Sequence, residues 1–435
     1  MKPILIRGAR VIDPSRNTDG LADLLIADGK IAGIGRNIVP PDGTLIIDAE
    51  NRVVAPGLID LHVHLREPGQ EDLETIRTGA MAAAAGGFTA VCAMPNTDPI
   101  TDNQAAVGFV ARQAHLAGKA RVYPIGAVTL GQRGEQLAEF GEMVAAGAVA
   151  FSDDGRPIMS SHMMRTALEY ARTFGVPIAD HCEDMSLAKG GAMHEGIIAT
   201  QLGLQGIPAA AEEIHVARDC ILAELTGGHI HLCHMSTRGS VELIRRAKVK
   251  GLRVTAEATP HHFALTHERC RGYDTNAKMN PPLREEADRE AIRQALADGT
   301  IDVIASDHAP HHYDAKEREF AQAPNGITGL ETALGLAIRE LEQTGLVSLP
   351  GLIYRMSTAP ARIFNLPGGT LAVGAPADLV VLDPVTRWVV RAEEMHSKSR
   401  NSPFLGEELV GRAELTIVGG RVVFSRFPGV SIIDV

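Results

Sequence analysis

Residues 57–69 read GLIDLHVHLREPG, with His62, Val63 and His64 at the centre and Arg66 two positions further on. The run that leads into the pair is apolar and rich in strand-favouring residues. Side chains along a strand alternate between its two faces, so His62 and His64 share one face and Val63 takes the other. One strand thus presents two imidazoles to a single divalent ion. An isolated HxH pair is as readily two surface histidines. The rest of the chain decides, by whether other strands deliver ligands to the same place.

Downstream the pattern is strand then helix, repeatedly. DLETIRTGAMAAAAGG reads as a helix closed by glycines and FTAVCAMPN as the next strand, and the alternation continues to DVIASDHAPHH and a closing helix in GLETALGLAIRELEQTG. Eight strands separated by helices predict an α/β fold with a (β/α)8 TIM-like barrel over residues 56–367; a doubly wound open sheet is the alternative. Gly86 and Gly87 follow a helix and precede a strand, the reverse of the order a phosphate loop needs, so they read as a helix C-cap. Both ends of the chain carry short strands broken by turn signals, among them Asp28-Gly29, a strong hairpin signal. They predict one small β-sandwich built from residues 1–55 and 368–435.

In such a barrel the chemistry sits at the C-terminal ends of the strands. The first strand ends in His62 and His64, the fourth in Asp153 with Asp154, the fifth in His181, the sixth in His234 and the eighth in Asp307. Singly, His181 or His234 reads as a core histidine; together they form a mixed imidazole and carboxylate set suited to Zn²⁺ or a related ion. A divalent ion brings the ionisation of bound water near neutrality and polarises a carbonyl. Hydrolysis of an amide also needs a group that carries the proton to the leaving nitrogen, and Asp307 is the natural candidate. His261, His262, His308 and His312 are left without a role at the site, with His308 expected to face away from Asp307.

Composition narrows the rest. The chain has 435 residues, 45% of them hydrophobic and 22% charged, with 42 Lys plus Arg against 53 Asp plus Glu and a formal charge of −11. That balance excludes a nucleic-acid or anionic-membrane footprint and leaves a small molecule as the partner, so an anionic substrate must be met by a local cation. No apolar stretch is long enough for a bilayer span, and the first residues turn polar too early for a secretory signal, which predicts a cytoplasmic protein. Cys92, Cys182, Cys220, Cys233 and Cys270 follow no repeating spacing and are expected as reduced core thiols, with Cys182 and Cys233 turned outward against the helices.

HVHLREPG, the MPNT at Met94–Thr97, FSDDG, the HCED at His181, KMNPPLR at Lys278–Arg284 and SDHAPH at Ser306–His311 resemble the bacterial class I dihydroorotases of the amidohydrolase superfamily. The resemblance spans essentially the whole chain. It implies the reversible, zinc-dependent interconversion of dihydroorotate and N-carbamoyl-L-aspartate in pyrimidine biosynthesis, with one or two Zn²⁺ per chain. It makes His62, His64, Asp153, His181, His234 and Asp307 the metal ligands and Asp307 also the catalytic acid and base. Substrate contacts fall on Arg66, Asn96, Asn280 and His311, and on the backbone of Asn325 and Gly326; Asn325 stands where family members commonly carry an aromatic residue. The resemblance further implies a homodimer, with association with aspartate transcarbamoylase as an option. Many superfamily relatives bridge two metals with a carboxylated lysine after strand four, a residue this chain lacks. That absence argues against allantoinase or hydantoinase activity, and the intact ligand set argues against an inactive scaffold of the transcarbamoylase.

Overall fold

The computed structural model describes residues 2–432 and is a mixed α/β molecule. Its central feature is a series of parallel pairings. Leu58–Val63 pairs with Phe88–Ala93, which pairs with Arg121–Pro124. Bridges from Gly126 to Phe151 and from Phe151 to Ile178 carry the series to Ile178–Asp180. Ile230–Leu232, Val254–Ala258 and Val303–Ile304 follow in order. A last parallel bridge joins His308 to Val63, so the pairings return to their start. Every residue of Leu58–Val63 and of Phe88–Ala93 is buried, as expected of parallel strands covered on both faces.

Two apolar clusters divide the strand residues between them. Ile59, Leu61, Ala90, Cys92, Ile125, Ala150, Ala179, Cys233 and Val303 form one cluster inside the circuit. Leu58, Val63, Val91, Phe151, Ile178 and Leu232 pack the other way, with helix residues such as Val107, Phe140, Leu168 and Ile244. The helices have clear local causes. Asn103 accepts from the Ala105 and Ala106 amides to start Gln104–Ala117, and Gly118 ends it at φ 60°. Gly86 is the C-cap of Ile76–Ala85, the role expected of that glycine pair.

The ends of the chain meet in one eight-stranded sheet. Ile4–Asp13, Thr18–Ala27, Lys30–Gly35, Leu45–Asp48 and Val53–Pro56 come from one end, and Leu379–Val389, Glu408–Val418 and Arg421–Ser425 from the other. They join where Val53–Pro56 runs antiparallel to Leu379–Leu382. Asp28 and Gly29 both have positive φ, 49° and 73°, and close the expected hairpin.

All five cysteines are buried and free, as read from their spacing. Cys182 packs outward. Cys233 does not: it lies in the inner cluster, because Ile230 and Leu232 point outward and the alternation carries residue 233 inward. Among the described residues no helix is long and apolar enough to cross a membrane.

The Phe151 side chain stacks on Phe140 of the helix Phe140–Ala145 with ring centroids 3.9 Å apart and planes 11° from parallel, and both are fully buried. This contact fixes which residues near position 151 face outward. Phe140→Ala is expected to lower stability by ~3–5 kcal/mol, measured by urea unfolding at fixed metal concentration.

Candidate metal centre

The two histidines of the opening motif do share a face, by way of an irregularity. Ile59 and Leu61 point inward and Val63 outward, so the alternation resets between Leu61 and His62. The pairing register slips there, between Asp60 and Val63, and the buried Asp60 carboxylate accepts from the His62 backbone N–H at 3.0 Å. His62 Nε2 and His64 Nε2 then lie 3.5 and 3.1 Å from Asp307 Oδ1.

Of the two aspartates after Phe151, it is Asp154 that joins them. Its Oδ1 lies 3.6 Å from His62 Nε2, 3.5 Å from His181 Nδ1 and 3.6 Å from His234 Nε2, and its Oδ2 lies 3.5 Å from His64 Nε2. Asp153 is turned away. Its carboxylate accepts from the Val128 and Thr129 amides at 2.8 and 3.1 Å and from the Thr129 hydroxyl, tying down the loop after Arg121–Pro124. The expectation that Asp153 points into the site is therefore corrected. The signal was in the parity: with Ala150 inward and Phe151 outward, 152 and 154 face in and 153 faces out.

His181 follows its strand in simple alternation, after an inward Ala179. His234 and Asp307 occupy left-handed backbone conformations, φ 39° and 48°, uncommon for non-glycine residues. At His234 the turn brings in a side chain that strict alternation from Cys233 would send outward.

Behind these groups lies a carboxylate that sequence reasoning did not single out. Glu257, fully buried, accepts from His62 Nδ1 at 2.6 Å, from His231 Nε2 at 3.1 Å and from the His234 backbone N–H at 3.1 Å. The first bond fixes the His62 tautomer and turns its Nε2 to the centre, as supporting carboxylates do behind metal-ligating imidazoles. His308 faces away, as expected: its Nε2 meets Glu74 at 3.3 Å and its Nδ1 accepts from the Gly329 amide at 3.1 Å. His261 and His262 are buried in the short helix Pro260–Ala264, and His262 bridges the Thr259 hydroxyl to the Pro281 carbonyl. His312 is exposed and caps the short helix Tyr313–Lys316.

The centre calls for a cation. Burial opposes a charge on His62, yet Glu257, Asp154 and Asp307 outweigh it and hold the imidazole pKa well above its ordinary value. Burial would likewise raise the Asp154 carboxyl, but His62, His181 and His234 hold it well below the carboxylate range. His62 Nε2 and Asp154 Oδ1 are buried and have no hydrogen-bond partner. Donor atoms of His62, His64 and Asp307, and those of His62, Asp154 and His234, lie within 4.8 Å of one another. Unpaired nitrogen and oxygen donors converging from several strand ends fit a borderline divalent ion.

The centre opens into a cleft of ≈ 210 Å³ lined in part by Arg66, Asn96, Asn280, His311, Asn325 and Gly326, all expected as substrate contacts. Arg66, at φ 61°, donates from Nε to the Pro310 carbonyl at 3.2 Å and lies 3.4 Å from His311 Nε2. Burial lowers its pKa to about 10 against the pull of Asp307 and Asp154, so it is a cation at neutral pH. Asn96 Oδ1 lies 2.9 Å from His64 Nδ1 and accepts its hydrogen. Asn280 donates to Glu183 at 2.9 Å, while its own Oδ1 is buried without a partner. Gly326 has φ +114°, and a Cβ there would stand 2.6 Å from that of Ala309, so only glycine fits this wall.

Fold and site together define a metal-dependent hydrolase of cyclic amides. A model described as Dihydro-orotase-like matches residues 51–240, and one described as Amidohydrolase family matches residues 229–424. Dihydroorotases from Geobacter metallireducens and Anaeromyxobacter dehalogenans are 51% and 54% identical to the chain, over 97% of it in both cases and 100% and 97% of their own lengths. Among solved structures, the L-hydantoinase (dihydropyrimidinase) from Arthrobacter aurescens superposes with a TM-score of 0.87 at 27% identity, covering 98% of this chain and 97% of that one. The chain belongs to the dihydroorotase family of the amidohydrolases.

The geometry separates two neighbouring carboxylates. Asp154→Asn is expected to lose bound metal on dialysis and Asp153→Asn to retain it, read by elemental analysis of the folded proteins. Glu257→Gln should weaken metal affinity by ~10–100-fold, measured by competition with a chelator.

Proposed function

We propose that this chain catalyses the reversible hydrolysis of dihydroorotate to N-carbamoyl-L-aspartate as a zinc enzyme, with one or two ions per chain held by His62, His64, Asp154, His181, His234 and Asp307. The observation that carries the reading is a half-buried arginine, Arg66, opening onto the same cleft as the metal centre: a cyclic amide bearing a carboxylate fits both. Full-length relatives named dihydroorotase support it.

Bound there, the ion would polarise the ring carbonyl and make water acidic enough to ionise near neutral pH. The residues do the rest. Arg66 takes the substrate carboxylate and Asn96 adds an amide donor beside it, with His311 closing that side. The unpaired Asn280 Oδ1 accepts from a ring N–H. Asp307, against His62 and His64, takes the proton of the attacking water and returns it to the departing ring nitrogen. Ring closure runs the same path backwards and needs Asp307 protonated, so synthesis is favoured at lower pH than hydrolysis.

The reading extends to the architecture. The circuit of parallel pairings supports a (β/α)8 barrel over residues 56–367, and the shared sheet supports a β-sandwich domain from 1–55 and 368–435. A homodimer, and an association with aspartate transcarbamoylase, belong to the same proposal.

The test is a spectrophotometric assay of dihydroorotate hydrolysis on protein of known metal content. Chelation should abolish turnover and Zn²⁺ restore it, and Asp307→Asn, compared with the wild type at equal bound metal, should lower kcat by at least ~100-fold in both directions. Arg66→Ala should reduce kcat/KM for dihydroorotate far more than for a hydantoin without the carboxylate; equal losses, or no dihydroorotate turnover by the metal-loaded protein, would reject the reading.

A further inference from the structure

One wall of the cleft is held by buried ammonium groups that have no carboxylate partner. Lys316, at the end of Tyr313–Lys316, is 6% exposed, and its Nζ donates to the Pro324 carbonyl at 2.8 Å, the Thr275 carbonyl at 3.0 Å and the Lys278 carbonyl at 3.4 Å. The Thr275 hydroxyl returns a bond to the Lys316 carbonyl at 2.5 Å. Lys278, also 6% exposed, donates to the carbonyls of Ala321 and Ala323 at 2.9 and 2.7 Å. Neither lysine takes part in an ion pair among the described residues. A buried ammonium is costly unless its donors are used. Lys316 uses three, the whole capacity of the group.

These bonds converge on the residues that face the substrate. Pro324 precedes Asn325, whose carbonyl lies 2.7 Å from His311 Nε2 and accepts its hydrogen. The Gly326 amide donates to the Lys278 carbonyl at 3.0 Å, so one carbonyl joins Lys316 to Gly326. Asn401 fixes the far side, giving its amide hydrogens to the Ala309 and Gly326 carbonyls and accepting from the His311 backbone N–H.

We propose that Lys316 is a positioning residue for substrate binding: by gathering the Thr275, Lys278 and Pro324 carbonyls on one side chain it seats the Asn325–Gly326 wall, and with it the His311 ring, against the cleft. This rests on reading the cleft as the dihydroorotate site. Lys316 touches neither the reacting atoms nor the metal ligands, so it acts on binding more than on the chemical step.

Seating is also linked to a proton. Burial first, then the charge of Lys278, with Asp274 opposing, bring the Lys316 amine down to about 7. The charge of Lys316 also reaches His311, which is held down to about 3 by burial first and then by Arg66 and Lys316, and so is neutral at working pH. With the wall unseated and Lys316 in water, the amine returns toward its ordinary value, 10.5. The seated form thus binds the proton more weakly and seating releases it, so raising the pH from about 6 to about 9 favours the seated wall. The neutral amine keeps two hydrogens, for Pro324 and Thr275, and gives up the longest bond.

Two measurements test this. Hydrogen exchange of the Gly326 amide in the metal-loaded wild-type protein, corrected for intrinsic rates, should show protection rising by ~10-fold or more between about pH 6 and about pH 9. Protection that is flat or falls overturns the proposal. In Lys316→Met, KM for dihydroorotate should rise by ~10-fold with kcat within ~3-fold and metal content unchanged, and the pH dependence of Gly326 protection should disappear. An unchanged KM, or an equal loss confined to kcat, overturns it. If Lys316→Met fails to fold, the wild-type exchange profile decides alone. Exchange does not require turnover, so an absence of dihydroorotate hydrolysis rejects the function while the wall is still tested.

Discussion

The centre depends on Glu257, a fully buried carboxylate that holds three donors at once. Isolated in the interior, burial would make it too costly to keep charged; His62 and His231 outweigh that and bring its pKa down to about 2. Its bond to His62 Nδ1 leaves Nε2 as the free nitrogen, and its bond to the His234 amide helps hold that residue in the left-handed conformation that turns the imidazole inward. Two rings from different strands are thereby aimed by one side chain on a third. The carboxylates in front, Asp154 and Asp307, complete a charge pattern that is balanced only by protons or by a cation.

Much of this was legible in the chain. The alternation of strand and helix, the Asp28-Gly29 hairpin and the strand-end positions of His62, His64, His181, His234 and Asp307 all follow from period and turn chemistry. What was not legible is the phase of short strands. Around residue 151 only two single-residue parallel bridges define the strand, and whether 150 or 151 faces inward depends on the Phe151–Phe140 stack, a contact with the helix just before it. The motif FSDDG offers two adjacent aspartates, and only that phase separates the inward Asp154 from Asp153. Cys233 departs from its expected outward face for a related reason: an inward His234 in a regular strand puts Cys233 outward, whereas the positive φ at His234 lets two successive side chains face the same interior. Glu257 gave no motif at all, since a lone acidic residue in an apolar strand is recognisable only once its partners are known.

The substrate side is built differently from the metal side. The candidate ligands come from strand ends, while the cleft wall is loop backbone tied by side chains from distant segments. Asn401 and the neighbouring Ser397, which donates to Glu74, belong to a stretch that follows Leu379–Val389. Glu74 in turn receives His308. The region leading back into the shared sheet thus braces the turns on either side of Arg66 and His311, and the cleft takes its shape from both parts of the molecule.

The meeting of the two ends in one sheet also bears on how the molecule is made. Val53–Pro56 lies between Ile4–Asp13 and Leu379–Val389, so one of its edges has no native partner until most of the polypeptide has left the ribosome. Throughout that interval an apolar edge that includes Val54 stands open, a template for pairing with any other nascent strand. A message that stopped before Leu379 would therefore encode every residue of the candidate metal centre and yet produce a molecule disposed to aggregate, its fate decided by the unfilled sheet and not by its chemistry.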